Sequence, residues 1–146
     1  MLTTENFDQM NWHDNALHAF RILEGDDNNG GQIILDIDFI TEWLREKDNS
    51  FSFKIAPSDL IFICVSDLLI SIDYASATAG VQPMVIHEIQ REKVTYPNGY
   101  SSFKWKVDIN WPPKSSISFE SSGFTQVQRM EPIISGAQYL SPSERR

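Results

Sequence analysis

Between residues 102 and 110 every second side chain is large and apolar: Phe103, Trp105, Val107 and Ile109 alternate with Lys104, Lys106, Asp108 and Asn110. A period of two puts one set on each face of a strand, so this segment is a half-buried strand and cannot be an amphipathic helix. The same period runs through residues 32–40, where Ile33, Leu35, Ile37 and Phe39 oppose Ile34, Asp36, Asp38 and Ile40. Asp36 and Asp38 therefore project from one face.

Turn chemistry joins these segments into hairpins. A run from Gly25 to Gly31, Gly-Asp-Asp-Asn-Asn-Gly-Gly, separates residues 15–23 from 32–40, and Asn98-Gly99 separates 84–94 from 102–110. Residues 51–55 and 60–65 read as two short strands broken at Ala56-Pro57-Ser58-Asp59, with 68–74 following; the apolar pair 60–65 and 68–74 is expected to be the most buried part of the sheet. Trp111-Pro112-Pro113 stops the strand before it, and 117–120 with 124–130 read as a last hairpin around Ser121-Ser122-Gly123. Short helices are expected near 6–11 and 42–46, and residues 136–146 as a frayed tail. The sum is one mainly β domain over residues 1–146, with roughly eight or nine antiparallel strands in a strongly twisted sheet that forms a half-open barrel or a sandwich.

Composition narrows the function classes. The net charge is −8, and all of it lies in the first fifty residues, which hold 11 acids against 3 bases; the remaining 96 residues carry 9 of each. Such a surface disfavours nucleic acid and anionic lipid. It suits a basic protein partner. The single cysteine, Cys64, has no partner for an internal disulfide, and residues 1–5 lack the pattern of a secretory leader, so the expected location is the cytoplasm.

Four residues have the chemistry of metal ligands: His13, His18, Asp36 and Asp38. Pairing 15–23 with 32–40 brings His18 opposite Ile37 or Asp38. His13 and His18, five apart, point to opposite faces of a regular strand. The plain structural reading is that His18 hydrogen-bonds an acid and Asp14 caps the turn into the strand. An EF-hand loop starting at Asp26 fails where it matters, because its twelfth position is Ile37. Cys64 sits in the apolar run Ile61-Phe62-Ile63-Cys64-Val65, a setting for a structural thiol, with His87 its one conceivable base. There is no Gly-x-Ser-x-Gly elbow, phosphate-binding loop or Cys-x-x-Cys pair. Among the four tryptophans, Trp105 shares the phase of Phe103 and Val107 and belongs to the core; Trp12, Trp43 and Trp111 are available to a pocket or a contact.

The order Trp12-His13-Asp14-x-x-x-His18, Leu35-Asp36-Ile37-Asp38-x-x-x-x-Trp43, Ala56-Pro57 and Val65-Ser66-Asp67-Leu68 resembles a family of small bacterial β-rich proteins, some of them similar to immunity proteins of polymorphic toxin systems. The resemblance covers residues 10–75. It implies a cytoplasmic, non-enzymatic protein without a cofactor that binds a toxin through an acidic face. On this reading Glu24, Asp26, Asp27, Glu42, Glu46 and Asp48 form the contact surface. The alternative is a small metal-dependent enzyme or ligand-binding barrel built on His13, His18, Asp36 and Asp38. Whether two copies complete the core as a homodimer is open at this level.

Overall fold

The computed structural model describes residues 1–26 and 30–145. Among them the chain forms one antiparallel sheet of ten strands, not closed into a barrel, with a single short 3-10 helix at Thr4–Gln9. The strands are β1 Leu2–Thr3, β2 Ala16–Leu23, β3 Gln32–Arg45, β4 Phe51–Ile63, β5 Ser66–Ser71, β6 Met84–Thr95, β7 Ser101–Trp111, β8 Ser115–Ser121, β9 Gly123–Gln128 and β10 Ile133–Ser135. They lie in the order β1-β9-β4-β3-β2-β6-β7-β8-β5, with β10 on β4. No helix among the described residues is long and apolar enough to cross a membrane.

The two alternating segments behave as their period requires. Trp105, Val107 and Ile109 of β7 are buried, as are Ile33, Leu35 and Ile37 of β3. The sheet folds over so that these faces meet. Phe62 of β4 packs its ring 5.0 Å from Trp105 of β7 and 4.7 Å from Phe119 of β8. Both buried indoles are hydrogen-bonded, Trp12 Nε1 donating to Gln126 Oε1 and Trp105 Nε1 to the Ser121 carbonyl. These rings pack with the buried aliphatic side chains of β2, β3, β4 and β6 in one apolar core.

Four expectations need correction. Residues 51–63 are one strand, not two. Pro57 does not break it, because its carbonyl points away from β3 and accepts the Arg129 N–H, so its ring nitrogen, which lacks a hydrogen, faces that same side and takes no bond from the β3 ladder. Residues 42–46 are not a helix: β3 runs on through a bulge between Ile40 and Glu42, pairing Trp43 with Phe53 and Leu44 with Ser52. β8 and β9 are not a hairpin. β8 pairs with β7 and β5, whereas β9 pairs with β4 and β1, so the chain at Ser121–Gly123 passes from one half of the folded sheet to the other. Gly123 permits that crossing, since a Cβ there would run into the Thr4 hydroxyl. Last, β5 is an exposed edge strand, with Leu69 66% accessible, and only β4 is central.

The tail expected to fray is also docked. Leu140 is fully buried with Ile40, Phe53, Ile55 and the half-buried Ile133, forming a second apolar cluster on the reverse face of β3 and β4. One apolar side chain thus anchors the C-terminal segment to the sheet.

Candidate functional site

Alternation along β3 sends Asp36 and Asp38 to the reverse face, away from the main core. Across the ladder, Asp36 stands opposite Asp59 of β4, a like-charge pair that destabilises a sheet unless a cation intervenes. Arg129, just after β9, supplies it: one guanidinium nitrogen lies 2.6 Å from Asp36 Oδ1 and another 3.6 Å from Asp59 Oδ1.

On β2 the register shifts between Leu17 and Ala19, so His18 is the bulged residue. Its Nε2 comes within 2.7 Å of Asp38 Oδ2. The docked tail completes the cluster. The Leu140 N–H donates to Asp38 Oδ2 at 2.8 Å, Arg145 Nε donates to Asp38 Oδ1 at 2.9 Å, and both terminal nitrogens of Arg145 donate to Asp36, at 2.5 and 3.2 Å. The result is three carboxylates, two guanidiniums and one imidazole holding three strands and the tail together.

Asp38 has no solvent exposure. Burial alone would push its carboxyl up, but hydrogen bonds from His18, the Leu140 N–H and Arg145, with the His18 charge, outweigh it and hold the group below the usual carboxylate range. Burial likewise works against the Arg145 charge, and the bonds to Asp36 and Asp38 more than offset it. Each oxygen of Asp38 already accepts a hydrogen bond. Such a carboxylate is a poor general base and a poor ligand until Arg145 leaves.

Of the four residues read as metal ligands, the structure joins His18, Asp36 and Asp38 and leaves His13 elsewhere. His13 Nδ1 lies 2.8 Å from the His87 carbonyl, its Nε2 3.5 Å from Asp14, and its ring 5.3 Å from that of His87. Among the described residues no group of three or more His, Cys, Asp and Glu side chains is placed to hold a metal ion. Cys64 lies in the link after β4, half-buried and with φ of 51°, rather than inside the apolar strand.

The acids read as a contact surface fall into two groups. Glu24 and Asp26 are exposed at the turn that precedes β3, and Asp27 lies outside the described residues. Glu42, Glu46 and Asp48 are exposed at the far end of β3 and in the turn beyond it. At roughly 3.3 Å per residue, the length of β3 separates the two groups by about 40 Å, so they do not form one face. The second group has apolar company. β2 stops pairing with β3 at Asp38 and β9 stops pairing with β4 at Ser58, so the distal β3–β4 hairpin reaches past both neighbours, with β10 beside it at 53–55 and Leu140 of the docked tail against Phe53. It carries Trp43, 47% exposed, and Phe51, 48% exposed, with ring centroids 6.2 Å apart; Phe53 supports Trp43 from below at 4.8 Å. In the tip, Ser52 donates to Glu46 and Ser50 to Asp48, which holds the Asp48 carboxyl below its usual range.

No protein-family model, curated protein or solved structure matches the chain.

Proposed function

We propose that this chain is a non-enzymatic, immunity-type protein that binds a basic protein partner through the distal β3–β4 hairpin. One observation carries the reading: two large aromatic side chains, Trp43 and Phe51, are held half-exposed and edge to face on a hairpin that extends beyond its neighbours. Rigid aromatic anchors dominate binding energy at protein interfaces. Glu46 and Asp48 are exposed in the tip beside them, Glu42 is exposed on the opposite face of β3 across from Lys54, and the net charge of −8 favours a cationic partner. Glu24 and Asp26, at the other end of β3, do not belong to this contact. Asp36 and Asp38 serve the fold.

The test is site-specific photocrosslinking in source cells, with a photoreactive phenylalanine in place of Trp43 and, as control, in place of Tyr100, an exposed aromatic on the β6–β7 hairpin. The expected result is an adduct with one basic protein at position 43 alone, lost at high salt and in Glu42→Lys/Glu46→Lys. Equal adducts at both positions, or an adduct indifferent to salt, contradict the proposal.

A further inference from the structure

The distal β3–β4 hairpin has two outer edges, and they differ. On the β4 side β10 pairs at 53–55; on the β3 side β2 pairs only as far as Asp38, and no strand among the described residues continues it. Asn15 closes the first position beyond that point, its Oδ1 accepting the Ile40 N–H at 3.4 Å. After Ile40 the edge is open.

The hydrogen-bond phase of the hairpin fixes which main-chain groups lie along that edge. At the tip the Glu46 N–H donates to the Ser50 carbonyl at 2.8 Å, so Glu46 and Ser50 form a bonded pair. Bonded and non-bonded pairs alternate in an antiparallel ladder, so Leu44 bonds to Ser52, while Trp43 opposite Phe53 and Arg45 opposite Phe51 turn their N–H and C=O groups outward. Among the described residues no strand pairs with those outward groups. An uncovered strand edge is a template for another strand. There is room for one: a cavity of about 450 Å³ is lined by residues 40–43 of β3 and, from the N-terminal segment, by the exposed Gln9 and Asn11.

The two faces of this edge differ in chemistry. Trp43 stands with Phe53 on the reverse face, and Glu42, across from Lys54, is exposed on the other. The Arg45 guanidinium is turned back to Asn49 Oδ1 at 2.9 Å. An added strand sends successive side chains to alternate faces, so it meets an aromatic ring on one and a carboxylate on the other. We propose that the basic partner binds by adding an extended segment to the free edge of β3, main chain to main chain at Trp43 and Arg45, with apolar side chains over Trp43 and lysine or arginine beside Glu42. In strand addition of this kind main-chain bonds supply affinity and alternate side chains supply specificity. The proposal rests on the protein-binding reading and names its mode.

The experiment is amide hydrogen exchange of the 15N-labelled protein with an end-blocked heptapeptide of alternating valine and lysine. Comparisons are the same peptide methylated at every main-chain nitrogen and a peptide of the same composition with its lysines in one block. The result expected is exchange at Trp43 and Arg45 slowed about tenfold at saturation by the alternating peptide alone, with Leu44 unchanged because its N–H is already bonded. In source cells Arg45→Pro, which removes an outward N–H and no ladder bond, loses the photoadduct at position 43, whereas Arg45→Gln, which keeps that N–H, retains it. If Arg45→Pro does not fold, the exchange pattern decides. The proposal is overturned if the alternating peptide leaves Trp43 and Arg45 unprotected, or if the methylated or block peptide protects them equally. It is also overturned if raising the protein concentration without peptide protects them, which makes a second copy the occupant, or if folded Arg45→Pro retains the adduct. That last result leaves the protein-binding reading standing; absence of any adduct in the parent removes that reading, and the exchange pattern then decides the edge by itself.

Discussion

Replacing Arg145 with glutamine removes three charge-assisted hydrogen bonds at once, one to Asp38 and two to Asp36. The two acids are not left equally exposed by the change. Asp36 is a quarter exposed and keeps Arg129, so its loss is modest; Asp38 is fully buried and keeps only His18 and the Leu140 N–H. Breaking a buried ion pair from one side costs about 3–5 kcal/mol, and a partly solvated pair with a second partner lies nearer 1. Arg145 itself is about one-tenth exposed, close to the buried case. A destabilisation of about 3 kcal/mol is expected. With a urea m-value of about 2 kcal/mol/M, the unfolding midpoint falls by about 1.5 M. Tryptophan fluorescence reads it, since Trp12 and Trp105 are buried. The effect also has a pH signature. Asp38 has a lowered native pKa, so its contribution is fully present above its unfolded pKa and disappears as pH falls through the native one. Arg145→Gln and the parent therefore converge in stability at low pH. A loss below about 0.5 kcal/mol at neutral pH, the size of an ordinary surface ion pair, refutes the argument that this cluster anchors the tail.

Asp38→Asn combined with Arg145→Gln in a double-mutant cycle should give a coupling energy of about 2 kcal/mol, measured by urea unfolding; additive effects would mean the two groups do not act together. Phe62→Ala, at the meeting point of β4, β7 and β8, should cost about 3–5 kcal/mol, seen as a large drop in Tm. Gly123→Ala should cost about 1–3 kcal/mol, because the new methyl group displaces the Thr4 side chain, and Thr4→Ser should not relieve it since the hydroxyl is what it meets. Trp43→Ala should shift thermal stability by less than about 1 kcal/mol, its ring being half in solvent, while weakening partner binding by tenfold or more.

Periodicity and turn chemistry make the strands and one of the hairpins legible in the sequence. The β6–β7 hairpin and the reverse-face position of Asp36 and Asp38 follow from alternation and from Asn98-Gly99, which are local signals. The approach of His18 to Asp38 follows only in part, because it also needs the bulge at His18, which no local signal marks. What local signals could not supply was the rest of the cluster. Arg129 and Arg145 are about a hundred residues from Asp36, and the one hint in the sequence was a pair of unmatched acids inside a strand together with arginines in a polar tail. Pro57 reads as a break in sequence, but proline interrupts a strand only when its missing N–H belongs to a ladder, and here it does not. Residues 42–46 have helix-favouring composition, and pairing with β4 overrides it. The crossing at Gly123 looks like a turn in sequence, since serine and glycine serve both purposes; only the partners of β8 and β9 distinguish them.

Dividing the acids of the N-terminal third between a fold-holding cluster and a recognition hairpin is the central claim, and one paired measurement tests it. Trp43→Ala and Arg145→Gln are each assayed for unfolding midpoint and for capture of the crosslinked partner. The account predicts opposite profiles: Trp43→Ala keeps its midpoint and loses the partner, whereas Arg145→Gln loses stability and, while folded, retains the partner. Loss of the partner in folded Arg145→Gln with retention in Trp43→Ala would place recognition at the Asp36 and Asp38 cluster and contradict it.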